Sequence, residues 1–273
     1  MAVAIALLVA AGVVVVVVRP GGSSSTPLAL PRSMASAGDS ITRAFDVDPA
    51  HLLQDAPAES WSTGTDPAVR SQYERIAAAA PAIAGHVFNV AQSGAKMDAL
   101  ASQLRAAGAD KVDYLTVLMG ANDLCTPTVA TMTPAATFQA QFTAGLDAFF
   151  AADPTAHVFV SSIPDLFKLW TALQSNPVAQ TVWALAHICQ SMLSVSGTPA
   201  GRAAVAAQEL TDNGILESVC ARYKNCRFDG LAVYRASFGA GEISAIDYFH
   251  PSLTGQQRLA AITWAAGYWP TTP

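Results

Sequence analysis

"SMASAGDSITRAF", residues Ser33 to Phe45, reads in three parts. A run of small and apolar residues reaches Gly38, Asp39 and Ser40 follow, and then comes what reads as the start of a helix. A near-continuous small or apolar run that stops at a glycine and hands over to a helix is how a strand buried on both faces leaves a parallel sheet. The pattern recurs. "HVFNVA" (86–91), "YLTVLMG" (114–120), "HVFVSSI" (157–163) and, more faintly, "CRFDG" (226–230) are further strand candidates. Helix-like stretches lie between them, among them "AVRSQYERIAAAAPAI" (68–83) and "TFQAQFTAGLDAFFAAD" (137–153). The second sets Phe138, Phe142, Leu146 and Phe149 on one stripe. Strand–helix alternation predicts a doubly wound α/β domain around a mostly parallel, five-stranded sheet.

Composition supports a packed domain. Of 273 residues, 52% are hydrophobic and 13% charged, and the formal net charge is −5. That balance excludes wholesale disorder. The 15 Lys and Arg residues form no cluster, so no nucleic-acid partner is expected. The N-terminus stands apart. "MAVAIALLVAAGVVVVVV" (1–18) is apolar throughout, closes on Arg19 and falls just short of a bilayer span. It lacks the basic start and the A-x-A site of a cleaved signal peptide, so an uncleaved anchor or an atypical export signal is expected. "RPGGSSSTP" follows and reads as flexible chain. The expected organisation is an export signal or anchor over 1–18, a linker over 19–32 and one domain over 33–273. Arg19 by itself argues for a cytoplasmic domain. The cysteines argue for export: Cys125, Cys189, Cys220 and Cys226 are an even set, suited to disulfides. Three pairings are open. One closes the short loop "CARYKNC" through Cys220 and Cys226 and leaves Cys125 with Cys189. No C-x2-C pair is present, so no metal site is expected.

In a doubly wound sheet, ligands sit at the carboxyl ends of the strands. Those ends are rich in polar residues and glycine here: Gly38-Asp39-Ser40, "QSGAK" (92–96), "GANDLC" (120–125) and "SIPDLFKLW" (162–170). A serine before a helix is often only an N-cap. A nucleophilic serine also needs a base, an orienter and oxyanion donors. Of the five histidines, His86 and His157 open strands and His187 lies in helix-like "QTVWALAHICQ", so all three are expected to be structural. His51 and His250 each follow an aspartate by three residues, in "DPAH" (48–51) and "DYFH" (247–250). His51 sits in an Ala/Pro/Asp-rich stretch with no strand before it. His250 precedes Pro251, which holds it extended, and a final helix in which Thr254 and Gln257 have capping-box spacing. The 247/250 pair is therefore the candidate base and orienter. Gly94 offers an unobstructed backbone N–H and Asn122 a side-chain amide, although a plain turn and an Asx turn explain each of them separately.

Taken together, "GDSIT", "NVAQSGAK", "GANDLC" and "DYFHPS" resemble, in order and at similar separations, the four blocks of the SGNH (GDSL-type) hydrolases. Ile41 replaces the leucine of the family's name. The resemblance implies a flavodoxin-like three-layer α/β/α fold and cofactor-free esterase or lipase chemistry. It implies Ser40 as nucleophile, His250 as base and then acid, Asp247 as its orienter, and an oxyanion hole of Ser40 N–H, Gly94 N–H and the Asn122 amide. "SWSTGT" (60–65), "SGAK", "GANDLC" and "SIPDLFKLW" look like the family's phospholipase B branch, which cleaves acyl chains from phospholipids and lysophospholipids.

The expected substrate is a small-molecule or lipid ester. The expected location is exported, either secreted or tethered to the outer face of the membrane through residues 1–18. No heptads are seen, and a monomer is expected. Two alternatives keep the same residues: a carbohydrate O-deacetylase or thioesterase, and a cell-envelope binding module that has lost turnover. The second would be marked by a missing triad member, and none is missing. Residues 166–224 carry Leu166, Phe167, Leu169, Trp170, Trp183, Leu185 and Met192. They serve either as an apolar wall for an acyl chain or as the ordinary cover of the sheet.

Overall fold

Strand residues alternate between two faces, and this chain gives both faces something to bury. In the computed structural model, which describes residues 28–50 and 52–271, the strands are β1 (Met34–Gly38), β2 (Val87–Asn89), β3 (Tyr114–Leu118), β4 (His157–Val160) and β5 (Cys226–Phe228). They form one sheet in the order β2-β1-β3-β4-β5, with every neighbouring pair parallel. β1 and β3 are fully buried. Their odd-numbered residues Ala35, Ala37, Leu115 and Val117 face one core, while Met34 and Tyr114 face the other.

The helices, among the described residues, are α1 (Gln72–Ala79), α2 (Leu100–Ala109), α3 (Ala121–Leu124), α4 (Ala135–Ala152), α5 (Leu166–Leu173), α6 (Pro177–Leu185), α7 (Gln190–Leu193), α8 (Pro199–Cys220), α9 (Ala232–Arg235) and α10 (Leu253–Ala266). Helices α2, α4 and α8 cover the first face and α1 and α10 the second, giving three layers. The expected stripe on α4 is buried without exposure at Phe138, Phe142, Leu146 and Phe149. Each such side chain contributes roughly 2 kcal/mol of transfer free energy. Gly145 lets α4 lie close to α2, because a Cβ there would meet Leu100 at 2.9 Å.

The second face is more polar. Ser36 and Thr63 share a hydroxyl bond at 2.8 Å, Ser62 and Thr116 another at 2.6 Å, and Tyr114 Oη donates to Gln72 Oε1 at 2.6 Å. Much of "SWSTGT" is spent there: Trp61 N–H donates to Gln256 Oε1 and its indole N–H to Thr42 Oγ1. Inside the stretch expected as linker, Leu30 packs on the second core and the Leu28 carbonyl accepts the Trp269 indole N–H at 2.9 Å.

Several expectations need correction. No helix follows Ser40. The chain makes one turn, with Arg43 N–H on Asp39 O, and leaves it at Ala44 (φ 51) for a bridge between Phe45 and Asp55. The left-handed conformations of Ala44 and Asp46 (φ 54) stop propagation. The cap of α10 is Ser252, whose Oγ accepts from Gly255 N–H. Thr254 is inside the helix, because the extended Ser252 already turns its hydroxyl onto the free amide. His187 does not pack. It is exposed in the turn after α6, at φ 53. His51 and residues 1–18 lie outside the described residues. Cys125 is bonded to Cys189 and Cys220 to Cys226, a pattern that fits an oxidising compartment. No helix among the described residues is long and apolar enough to cross a membrane.

Candidate active site

Because β2 and β3 flank β1, the connections leaving β1 and β3 run in opposite directions. The crevice between their carboxyl ends is the switch point of the sheet. Ser40 follows β1 and Asn122 follows β3, one on each side. Gly38 ends β1 at φ +152, with Leu118 and Thr42 so close that any Cβ would collide with them. Gln103 clamps this glycine from α2, accepting its N–H at 2.8 Å and donating to its carbonyl at 2.9 Å. Asp39 is 1% exposed. Its Oδ1 accepts from Ile41 N–H, its Oδ2 meets no donor among the described residues, and burial pushes its carboxyl up to about 6.

Ser40 Oγ lies 2.7 Å from His250 Nε2. The other ring nitrogen, Nδ1, bonds to Asp247 Oδ2. Asp247 Oδ1 accepts from the N–H groups of Phe249 (2.9 Å) and His250 (3.0 Å). Burial pushes Asp247 upward, but the imidazole bond, the imidazole charge and the two backbone N–H groups outweigh it and hold the carboxyl below its ordinary range. An ionised carboxylate only accepts, so Nδ1 is the donor and the Nε2 lone pair faces the Ser40 hydroxyl.

The loop that carries His250 is anchored on three sides. Tyr248 takes φ 57, and its carbonyl accepts the Trp183 indole N–H from α6 at 3.1 Å. Ser244 N–H donates to His250 O at 2.8 Å. Ser244 Oγ donates to Asp46 O at 2.6 Å. Phe45 and Phe249 flank the imidazole with ring centroids 5.1 and 5.0 Å away.

The other two segments are tied to the same corner. Gln92 N–H donates to Gly38 O at 3.1 Å, which fixes the turn carrying Gly94. Gly94 is exposed at φ +79 with open space around a notional Cβ, so it is the backbone conformation that calls for glycine. Asn122 Nδ2 donates to Ala95 O at 3.0 Å, and Asp123 Oδ2 accepts from Met97 N–H at 2.9 Å. An apolar cleft lined by Ile41, Ala121, Leu166, Leu169, Phe238 and Phe249 adjoins these residues. The aromatic stretch 166–224 therefore serves in two ways. Leu169 lines the cleft, whereas Trp183 and Met192 belong to the core. Asp46 and Gln103 were not singled out from sequence, and Trp183 was named there only as apolar wall or cover, because each reaches the site only through tertiary contacts.

A three-layer α/β/α fold with Ser40, His250 and Asp247 in bonded sequence at the switch point of its parallel sheet has the arrangement of a serine hydrolase. Residues 36–258 match the profile of the GDSL-like lipase/acylhydrolase family, and the chain belongs to that family. No curated protein matches it. Among solved structures it is similar to an extracellular lipase from Streptomyces rimosus, at 17% identity and TM-score 0.50, over 86% of this chain and 99% of that one. It is similar to an α/β hydrolase from the metagenome of Lake Arreo, Spain, at 18% identity and TM-score 0.52, over 86% and 94%. A family 3 carbohydrate esterase from Clostridium thermocellum aligns at 14% identity and TM-score 0.50, over 85% and 92%. At these identities the likeness concerns the fold.

Proposed function

We propose that this protein is an exported serine-dependent carboxylic-ester hydrolase that cleaves lipid esters, phospholipids or lysophospholipids among them, through an acyl-enzyme on Ser40. The observation that carries the reading is the 2.7 Å approach of Ser40 Oγ to an imidazole whose far nitrogen is held by Asp247. Ser40 Oγ attacks the ester carbonyl carbon while its proton passes to His250 Nε2. The developing oxyanion accepts from Ser40 N–H, Gly94 N–H and Asn122 Nδ2. His250 returns the proton to the departing alkoxide, leaving acyl-Ser40. Water, deprotonated by the same nitrogen, then releases the acid.

The apolar cleft beside Ile41 and Phe249 supports an alkyl chain over an acetyl group or a sugar. The two disulfides and the extracellular lipase of the same fold support export. The test is turnover of p-nitrophenyl esters from acetate to palmitate by the full chain made under oxidising conditions, with Ser40→Ala beside it. Activity that rises with chain length and vanishes in Ser40→Ala is expected. Activity confined to acetate would favour a deacetylase. No turnover and no labelling of Ser40 by a fluorophosphonate would overturn the reading and favour a binding module.

A further inference from the structure

The three donors of the proposed oxyanion hole come from three connections, and the three are not held alike. Gln103 clamps the backbone before Ser40 on both sides of Gly38, and Ala95 O fixes the Asn122 amide. Gly94 sits in an exposed turn, with Gln92 and Ser93 exposed beside it and open space around its own Cα. Backbone bonds hold the two ends of that turn: Gln92 N–H donates to Gly38 O at 3.1 Å, and Ala95 N–H to Gln92 O at 3.0 Å. Further back, Asn89 Nδ2 donates to Thr42 O at 3.1 Å. The middle of the turn is held by a side chain, since Ser93 Oγ donates to Asp55 Oδ1. The second oxygen of Asp55 accepts from Arg43 Nε at 2.9 Å, in the turn that follows Ser40. The Asp55 backbone is bound to that same turn, by its bridge to Phe45 and by Ala56 N–H on Arg43 O at 3.1 Å. One carboxylate thus spans two connections. It is anchored on the Ser40 side and reaches across to Ser93, and a hydroxyl bonded to a carboxylate is among the stronger side-chain hydrogen bonds.

We propose that Asp55 is a positioning residue of the oxyanion hole: its carboxylate ties the Ser93 hydroxyl, and with it the turn that carries Gly94, to the turn that carries Ser40. The tie keeps the two backbone N–H donors at the spacing that the tetrahedral oxyanion needs. For its catalytic consequence the proposal rests on the hydrolase reading; the tie itself does not. Stability is not what the tie supplies. The Arg43 and Asp55 side chains are 23% and 28% exposed, and an ion pair at that exposure adds little to folding.

The test compares the full chain with Asp55→Ala, Ser93→Ala, the double variant and Ser93→Thr. On a p-nitrophenyl ester, each single alanine variant is expected to lower kcat about tenfold, the effect of one lost charge-assisted hydrogen bond. KM and the urea midpoint should stay near wild type. An alkyl boronic acid, whose tetrahedral adduct on Ser40 mimics the oxyanion, should bind more weakly by the same factor. The double variant should be no worse than either single one, because both remove the same bond. Ser93→Thr restores the hydroxyl and should recover most of the loss. Unchanged kcat in either alanine variant, losses that multiply in the double variant, or a fall in kcat without weaker boronate binding would each overturn the proposal. If Asp55→Ala does not fold, Ser93→Ala and Ser93→Thr decide, since Ser93 is exposed. If wild type hydrolyses no ester, that failure belongs to the proposed function. Heteronuclear relaxation then decides the tie: the order parameter of the Gly94 N–H is expected to fall in Ser93→Ala, and an unaltered value would overturn it.

Discussion

Asn122 has two side-chain N–H groups and spends one of them on Ala95 O at 3.0 Å. That bond fixes the plane of the amide, and the second N–H is the group assigned to the oxyanion. Its worth follows from what happens at the carbonyl oxygen, which is neutral in the substrate and anionic at the tetrahedral stage. A donor already aimed at it stabilises the second far more than the first. Asn122→Ala is therefore expected to lower kcat by roughly two orders of magnitude or more. KM should change little, and far-UV circular dichroism should be unaltered. Unchanged turnover in a folded variant would remove Asn122 from the site. At this scale the sequence was informative where motif residues sit next to glycine: Ser40 after Gly38-Asp39, Asn122 after Gly120. It was silent on Asp46, because nothing local distinguishes a buried aspartate from an exposed one in "AFDVDPA". Its partner Ser244 lies some two hundred residues downstream.

Elements hold these residues in place, and two of them make separable predictions. Helix α6 buries Trp183 to 1% exposure and reaches out of the core with one polar atom, the indole N–H on Tyr248 O. Tyr248 needs that support, since a non-glycine residue at φ 57 is held there by its surroundings. Trp183→Phe keeps most of the apolar volume and removes the donor. The expected result is a several-fold lower kcat at unchanged KM, together with faster hydrogen exchange in residues 247–250. Helix α8 carries the other case. Asp212 is fully buried, accepts from Gln208 Nε2 at 2.8 Å on one oxygen and has no donor on the other among the described residues. Burial pushes it up to about 7. The folded state thus favours the protonated acid. That contribution is complete below the unfolded value of about 4 and is lost as pH rises through about 7. Asp212→Asn has no charge to bury, so its stability advantage over wild type should grow between these limits, by up to about 4 kcal/mol. Urea melts at acidic and mildly alkaline pH measure it, and an equal difference at both would refute it. The element pattern was legible where burial is two-sided or strictly periodic, as in β1, β3 and the stripe of α4. It misled after Ser40, where two left-handed residues override a plausible helix start. It also misled at α10, where the hydroxyl that caps is the extended Ser252 rather than Thr254.

At the scale of the molecule, the site is assembled from segments far apart in the chain, and covalent links bear on that assembly unequally. Cys125 is the residue that ends α3, three positions after Asn122, and it is bonded to Cys189 at the start of α7, 64 residues away. Ser191, just beyond, accepts from Thr126 N–H and donates to Leu124 O at 2.6 Å, so the bond has a hydrogen-bonded surround. The pair Cys220–Cys226 closes a separation of only 6 between α8 and β5, remote from the triad. The sequence left the pairing open among three arrangements, since only the fold brings the end of α3 to α7. Loop-closure entropy gives the long link about 4 kcal/mol and the short one about 2. Their functional weights should differ more than their stabilities. Replacing Cys125 and Cys189 together by serine should lower the urea midpoint further than replacing Cys220 and Cys226. It should also lower kcat in protein that is still folded, because the freed end of α3 lets the Asn122 amide drift from the line set by Ala95 O. The Cys220/Cys226 pair should leave kcat unchanged. Equal losses of kcat in the two double variants would mean that the disulfides act on stability alone, and that the hydrogen bonds of Asn122, Asp123 and Ser191 hold the β3 side of the site without them.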